Sequence, residues 1–244
     1  MKKWLLPVLS MISFNLFAEN ITRFDLDFSK GYSAQISTGQ ASFLKGNAAI
    51  SDGAMLVKSG FASGAAGTPI PYNPLVYSAK DNLPQFVSGT IMVDLCYRQL
   101  PEKSNYLSPV WAIRRVKNTK VTGFCRMQIK FAAGKVSLEY DEFDLDSPKG
   151  KTLRISIPIT GFACGKNYRI ILNIKGRERS VKIAGSLEKT VRTPWDFPKF
   201  MPGANSIVVG GAYENSGRLV NPQVELLIRR LVIREIINME RSGK

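Results

Sequence analysis

The stretch Glu139-Tyr140-Asp141-Glu142-Phe143-Asp144 places carboxylates at the spacing of a β-strand. Successive side chains of a strand alternate faces. Glu139 and Asp141 therefore share one face with Phe143, while Glu142, Asp144 and Asp146 fall on the other. A retaining glycoside hydrolase uses two carboxyls about 5–5.5 Å apart, one as nucleophile and one as acid/base. Glu139 and Asp141 are the candidate pair for that chemistry. The competing expectation is a solvated acidic strand that runs into a turn at Ser147-Pro148-Lys149-Gly150. Composition removes other chemistries. The chain contains no histidine, which excludes Ser-His-Asp and Cys-His nucleophilic catalysis, histidine general bases and His-rich zinc sites.

Binding residues are suggested by aromatics and by charge. The loop from Thr193 to Gly203 carries Pro194, Pro198 and Pro202, and its Trp195 could present a flat face to a sugar ring. Trp111, beside Arg114 and Arg115, is a second such residue. Tyr213 and Asn215 follow Gly210-Gly211 and could hydrogen-bond sugar hydroxyls. Large aromatics are mostly buried, so a place in the core competes with each tryptophan's binding role. The chain has 34 Lys+Arg against 19 Asp+Glu, a net charge of +15. Basic residues cluster at Arg114, Arg115, Lys117 and Lys120, at Lys175, Arg177, Arg179 and Lys182, and at Arg229, Arg230 and Arg234. Such a field draws polyanions: acidic polysaccharide, lipopolysaccharide phosphate, anionic lipid. No helix-turn-helix, zinc-finger or basic-zipper pattern is present, so nucleic acid is the weakest of these partners.

The elements that must hold these residues begin after an export signal. Lys2 and Lys3 precede an apolar run from Leu5 to Phe17 that ends at the small residue Ala18. This is the pattern of a secretory signal peptide over residues 1–18. The run is shorter than the ~20 apolar residues of a membrane span, and no later segment is long and apolar enough to be one. The expected mature chain is a single domain over residues 19–244, periplasmic or secreted. Loss of Lys2 and Lys3 leaves 32 basic against 19 acidic residues, a net of +13.

Alternation marks the strands. Ile91, Val93, Leu95 and Tyr97 share a face. Cys125, Met127, Ile129 and Phe131 share another, with Arg126, Gln128 and Lys130 opposite; after a turn at Gly134, Val136 to Tyr140 alternates again, which reads as a hairpin. Leu153 to Ile159 alternates and meets Pro158, a residue of strand ends and sheet edges. Tyr168 to Ile174, Val181 to Ile183 and Ile207 to Val209 are further strands. Val224 to Ile237 fits either a helix or a strand with a break after Ile228; its β-branched residues favour the strand. Many short strands separated by Gly, Pro and Asn turns give an all-β, antiparallel two-sheet sandwich or jelly roll.

Four stretches carry a resemblance: Phe24-Asp25-Leu26-Asp27-Phe28, Gly89 to Leu95, the pair Asn167 to Ile174 and Ser180 to Gly185, and Ser206 to Gly211 with Val224 to Ile228. Together they resemble the concanavalin A-like lectin/glucanase superfamily, and within it the laminin-G-like modules. The resemblance implies a groove used for sugars or protein partners. The superfamily's retaining glucanases need acids at three alternate positions, and Phe143 occupies the third. Its alginate-lyase-type members usually need a histidine, so they fit poorly. Calcium is often held in such modules, and Asp25, Asp27, Asp141 and Asp144 are the candidates here, although no loop shows a dense ligand ladder of the kind calcium prefers. No other cofactor is expected.

Cys96, Cys125 and Cys164 imply one disulfide and one leftover thiol in an oxidising compartment, with the pairing open. The combined expectation is an exported, non-catalytic binder of a glycan or another anionic envelope component. A glycan hydrolase using Glu139 and Asp141, or an adhesive envelope protein with a protein partner, are the alternatives. N-terminal sequencing of exported material should begin at or within a few residues of Glu19; an intact Met1 would refute the export reading.

Overall fold

Tight turns and strict alternation build two sheets. The computed structural model describes residues 17–37, 49–59, 75–78, 88–100, 106–117, 120–144, 151–184, 188–197, 206–210 and 224–239. Its strands are β1 (Phe17–Asp27), β2 (Ile36–Ser37), β3 (Ala49–Ser51), β4 (Ala54–Ser59), β5 (Leu75–Ser78), β6 (Ser88–Gln99), β7 (Tyr106–Lys117), β8 (Lys120–Ala132), β9 (Lys135–Asp144), β10 (Lys151–Pro158), β11 (Asn167–Lys175), β12 (Glu178–Ile183), β13 (Glu188–Arg192), β14 (Ser206–Val209) and β15 (Val224–Met239). One sheet has nine strands in the order β13-β12-β11-β6-β15-β1-β2, with β4 also beside β15 and β3 beyond it. The other has six, β10-β9-β8-β7-β14-β5. All of the pairings are antiparallel. No helix among the described residues is long and apolar enough to cross a membrane. The all-β two-sheet sandwich is thus the observed architecture.

The nine-stranded sheet is organised around β15. One side of β15 pairs with β6, and the other pairs first with β4 and then with β1. Val224, Leu226 and Ile228 face the core; Leu231 and Ile233 do so after a register shift between Ile228 and Arg230. The break in the apolar pattern is therefore a β-bulge, where one extra residue restores the inward phase. On the outer side of this sheet, Arg230 donates to Asp25 at 2.9 and 2.5 Å, and Arg169 donates to Asp94 at 2.7 and 2.9 Å.

The six-stranded sheet grows from the β8–β9 hairpin. Ala133 and Gly134 both have positive φ, 48° and 74°, as the type I′ turn of a two-residue hairpin requires. That turn sets Gln128 opposite Glu139 and Arg126 opposite Asp141. β10 is the edge strand and Pro158 ends it, as its proline predicted. Between the sheets, Ile91, Val93, Leu95, Ile170, Leu172 and Leu231 of one meet Trp111, Met127, Ile129, Leu138 and Ile155 of the other in one apolar core.

The cysteines depart from expectation. All three are free thiols. Cys125 faces the inter-sheet core, Cys96 packs with Ala54 and Leu227 in a separate small cluster, and Cys164 is exposed. Thiols distributed over a core, a second cluster and a surface turn are not arranged as a bridged pair. Burial, with the Glu142 carboxylate adding to it, pushes the Cys125 thiol well above the ordinary thiol range.

Two glycines with positive φ differ in their surroundings. At Gly134 a Cβ would meet nothing within 4 Å; at Gly210 (φ 69°) it would lie 2.6 Å from Val57 Cγ2 and 2.7 Å from Met55 Cε. Gly134→Ala should cost about 1 kcal/mol, the left-handed backbone penalty alone. Gly210→Ala should cost about 3 kcal/mol, because overpacking adds to that penalty. Thermal melts of the two variants check the difference; equal shifts would refute it.

Candidate functional site: the outer face of the six-stranded sheet

Alternation along β8, β9 and β10 carries a polar set on the face away from the core. Arg126, Gln128 and Lys130 come from β8, Glu139 and Asp141 from β9, and Arg154 from β10, with Asp141 standing opposite both Arg126 and Arg154. Gln128 Nε2 donates to Glu139 Oε2 at 3.3 Å and to Asp141 Oδ2 at 3.2 Å. Since both oxygens contact one nitrogen, they are at most 6.5 Å apart. Arg126 Nε donates to Asp141 Oδ2 at 3.0 Å, and Arg154 Nε to Asp141 Oδ1 at 2.6 Å. Lys130 Nζ lies 3.6 Å from Glu139 Oε1. Asp141, by hydrogen bond and by charge, raises the already high pKa of Arg154 further.

The acidic strand is accordingly not solvated as expected. Glu139 and Asp141 are buried, 4% and 5% exposed, and are held by cations. They stand close enough to share one Gln128 amide nitrogen, but their occupancy does not suit a retaining pair. Both oxygens of Asp141 already accept guanidinium N–H groups, and general acid catalysis needs a carboxyl that can carry and deliver a proton. Phe143 fills the third alternate position. Its ring lies 5.1 Å from that of Phe124, and the Arg126 guanidinium sits 4.9 Å above Phe124. Phe124, Arg126, Asp141, Phe143, Thr152 and Arg154 line a cleft of about 370 Å³, a size ordinary for small-ligand sites.

Glu142, on the opposite face of β9, was expected to be one acid of a solvated strand and instead anchors a buried network. Tyr140 Oη donates to its Oε1 at 2.6 Å, Trp195 Nε1 to its Oε2 at 2.9 Å, and Arg179 Nε of β12 also donates to Oε1. The side chains of Glu142 and Arg179 are fully buried. Burial, and then the Glu142 charge, raise the Tyr140 phenol well above its usual range. Arg179 also sits over the Phe197 ring, 5.5 Å from its centroid. The segment 193–197 thus closes this end of the sandwich: Thr193 Oγ1 donates to the Arg177 carbonyl at 3.0 Å, and Asp196 pairs with Arg177 at 3.7 Å.

The other sequence-derived residues are dispersed. Trp111 is 1% exposed within the core, so it offers no platform to a sugar; it faces inward beside Met127 because the bulge between Pro109 and Trp111 resets the phase of β7. Arg114 and Arg115 project to opposite faces. Arg114 donates to Ser206 Oγ at 2.8 Å, while Arg115 is buried and pairs with Asp144 at 2.6 Å. They do not form a joint anion fork. Arg179 leaves its expected surface cluster for the core. Trp195 is half-buried, with its indole N–H committed to Glu142. Tyr213 and Asn215 lie outside the described residues.

The calcium candidates are far from forming a shell: Asp25 pairs with Arg230, Asp141 with Arg126 and Arg154, and Asp144 with Arg115. Asp27 accepts from the Ser29 hydroxyl, which holds its carboxyl below the usual range. Among the described residues no three acids, cysteines or histidines group as metal ligands.

No family model matches the chain, and no curated protein matches it in sequence. Solved structures do match in fold. The alginate lyase Aly36B is 16% identical, with 91% of this chain and 98% of that chain covered and a TM-score of 0.56. The kappa-carrageenase of Pseudoalteromonas carrageenovora, in complex with an oligotetrasaccharide of kappa-carrageenan, is 9% identical, with coverage of 96% and 100% and a TM-score of 0.52. The CBM2 module of the evolved Dit protein of Lactobacillus casei BL23 phage J-1 is 7% identical, with coverage of 91% and 98% and a TM-score of 0.55. These likenesses concern the fold, a two-sheet jelly-roll sandwich.

Removing one member of a buried ion pair typically costs 3–5 kcal/mol, whereas replacing both by apolar groups can be nearly neutral. Glu142→Leu and Arg179→Met should each lower stability by about 3–5 kcal/mol, and the double variant should recover most of that loss. Denaturant titrations of the three variants check this; additive losses would show that the pair is not coupled.

Proposed function

We propose that the protein is an exported, non-catalytic binder of an anionic polysaccharide, which lies on the outer face of the six-stranded sheet. The observation that carries this reading is the composition of that face. Arg126, Arg154 and Lys130 outnumber Glu139 and Asp141 on that face, and the side chain of Arg154 is 59% exposed. A guanidinium has five N–H donors in a planar fork, more than Asp141 consumes, and that fork suits carboxylate and sulfate. Phe124 and Phe143 supply apolar wall beside the charges, as sugar and small-ligand sites commonly combine. The fold neighbours include a lyase named for alginate and a carrageenase holding its oligosaccharide, which supports a glycan as the ligand class. Hydrolysis is the second reading, favoured by the closeness of Glu139 and Asp141 around one Gln128 amide and opposed by the cations that occupy them.

Calorimetric titration with alginate or carrageenan oligosaccharides, against a neutral glucan of equal length, tests the proposal. The anionic chains should bind, and binding should weaken from 0.1 to 1 M salt as the screening length falls from ~10 to ~3 Å. Arg154→Gln should lower affinity about tenfold, the scale of a charge-assisted hydrogen bond. Equal affinity for the neutral chain would overturn the anionic reading. Release of shorter sugars by the wild type, abolished in Glu139→Gln/Asp141→Asn with folding unchanged, would establish the hydrolase.

A further inference from the structure

We infer a second anion-binding cleft on the outer face of the nine-stranded sheet, so that the ligand of the proposed function is a chain with repeated negative groups rather than a single charged sugar. This deepens the reading of the first cleft and rests on it. Lys175, Arg177, Glu178, Arg192 and Asp196 line a cleft of about 420 Å³, and every one of these side chains is ionisable. The β11–β12 hairpin and β13 build it. Lys175 stands opposite Glu178, and Glu178 opposite Arg192, in adjacent strands. Directly opposed residues share a face, so the three lie in one row across the sheet edge, with Lys175 and Arg192 two strand spacings, about 10 Å, apart. Neighbouring Arg179 points the other way, into the core. Lys175, Arg177 and Arg192 are exposed.

Their charges are incompletely matched. Arg177 has Asp196 at 3.7 Å. Lys175 and Arg192 make no salt bridge among the described residues, and the cleft holds three cations against two acids. A cationic concavity with unspent donors is suited to sulfate or carboxylate.

Its position ties it to the first cleft. β10, which brings Thr152 and Arg154 to the first, runs beside β13, which brings Arg192 to the second, where the edges of the two sheets meet and Lys189 Nζ donates to the Ser156 carbonyl at 3.4 Å. The two clefts thus lie on the outer faces of the two sheets, on either side of that edge. A linear polyanion crossing the β10–β13 edge would meet Arg126 and Arg154 on one side and Arg177 and Arg192 on the other.

The test uses the full mature chain, with disaccharides and octasaccharides of two kinds, carboxylated (from alginate) and sulfated (from carrageenan). The variant is Lys175→Gln/Arg177→Gln/Arg192→Gln, all three at exposed positions. The octasaccharide of at least one kind should lose tenfold or more in affinity and show a shallower salt dependence, while its disaccharide, confined to the first cleft, binds as to wild type. The kind that responds identifies the anionic group. An unchanged octasaccharide affinity, with disaccharide binding retained, overturns the second cleft alone. Failure of the wild type to bind any of the four probes overturns both this inference and the glycan reading. Tighter binding of a DNA duplex of equal charge, lost in the triple variant, would reassign the cleft to nucleic acid and overturn the polysaccharide.

Discussion

The ion pair between Glu142 and Arg179 ties the two sheets to each other at one end of the sandwich. Both side chains are fully buried, and two charges removed from water carry a desolvation penalty of several kcal/mol each that only good geometry and further hydrogen bonds offset. Glu142 obtains them from Tyr140 and Trp195, and Arg179 from the carbonyls of Gly176 and Glu178. Arg179 Nη2 still lacks a partner among the described residues. The pair joins β9 of one sheet to β12 of the other. It thereby fixes how the two sheets meet at this end and where the segment 193–197 must lie. Apolar packing alone would allow the sheets to slide; a carboxylate that accepts from three elements allows one arrangement.

The same logic runs through the other acids. Asp141 binds Arg126 and Arg154, Asp144 binds Arg115, Asp25 binds Arg230, Asp94 binds Arg169 and Glu235 binds Arg23. Arginine suits these pairs because its planar fork matches a carboxylate and stays charged when partly buried. Acids committed in this way are structural groups, poorly placed to shuttle protons. A chain with 34 basic and 19 acidic residues cannot match every cation, so the surplus stays at the surface as positive field. Committed acids and a positive surface are thus two consequences of one composition.

The jelly-roll likeness to an alginate lyase, a kappa-carrageenase and a CBM2 module at 7–16% identity is what this physics permits. A sandwich needs inward apolar alternation and turn residues, which many sequences satisfy. The chemistry resides in the outward residues, and those differ freely once the inward ones are in place.

Much of the fold was legible in the sequence. Strand alternation, the two-residue turn at Gly134, the edge proline of β10 and the broken pattern of β15 are local signals, and each appears in the structure because side-chain period and turn geometry act over a few residues. The candidate cleft was partly legible too. The face shared by Arg126, Gln128 and Lys130 was visible, and the turn at Gly134 sets it against Glu139 and Asp141, yet the strand was read as solvated because burial of its outer face is not a local property. The inward direction of Arg179 could be read from its alternation with Val181 and Ile183, and that of Glu142 from Leu138 and Tyr140. Their meeting could not, since they are 37 residues apart on different sheets. Trp111 turned inward through a bulge, and Arg115 was drawn to Asp144, both results of pairing between strands. Sequence alone determined the strands, their turns and the absence of histidine chemistry, because those depend on residue type and near neighbours. The tertiary structure decided which charges are buried, which acids are spent on arginines and which cations remain at the surface, because a charge takes its role from what the whole fold brings within a few ångströms of it.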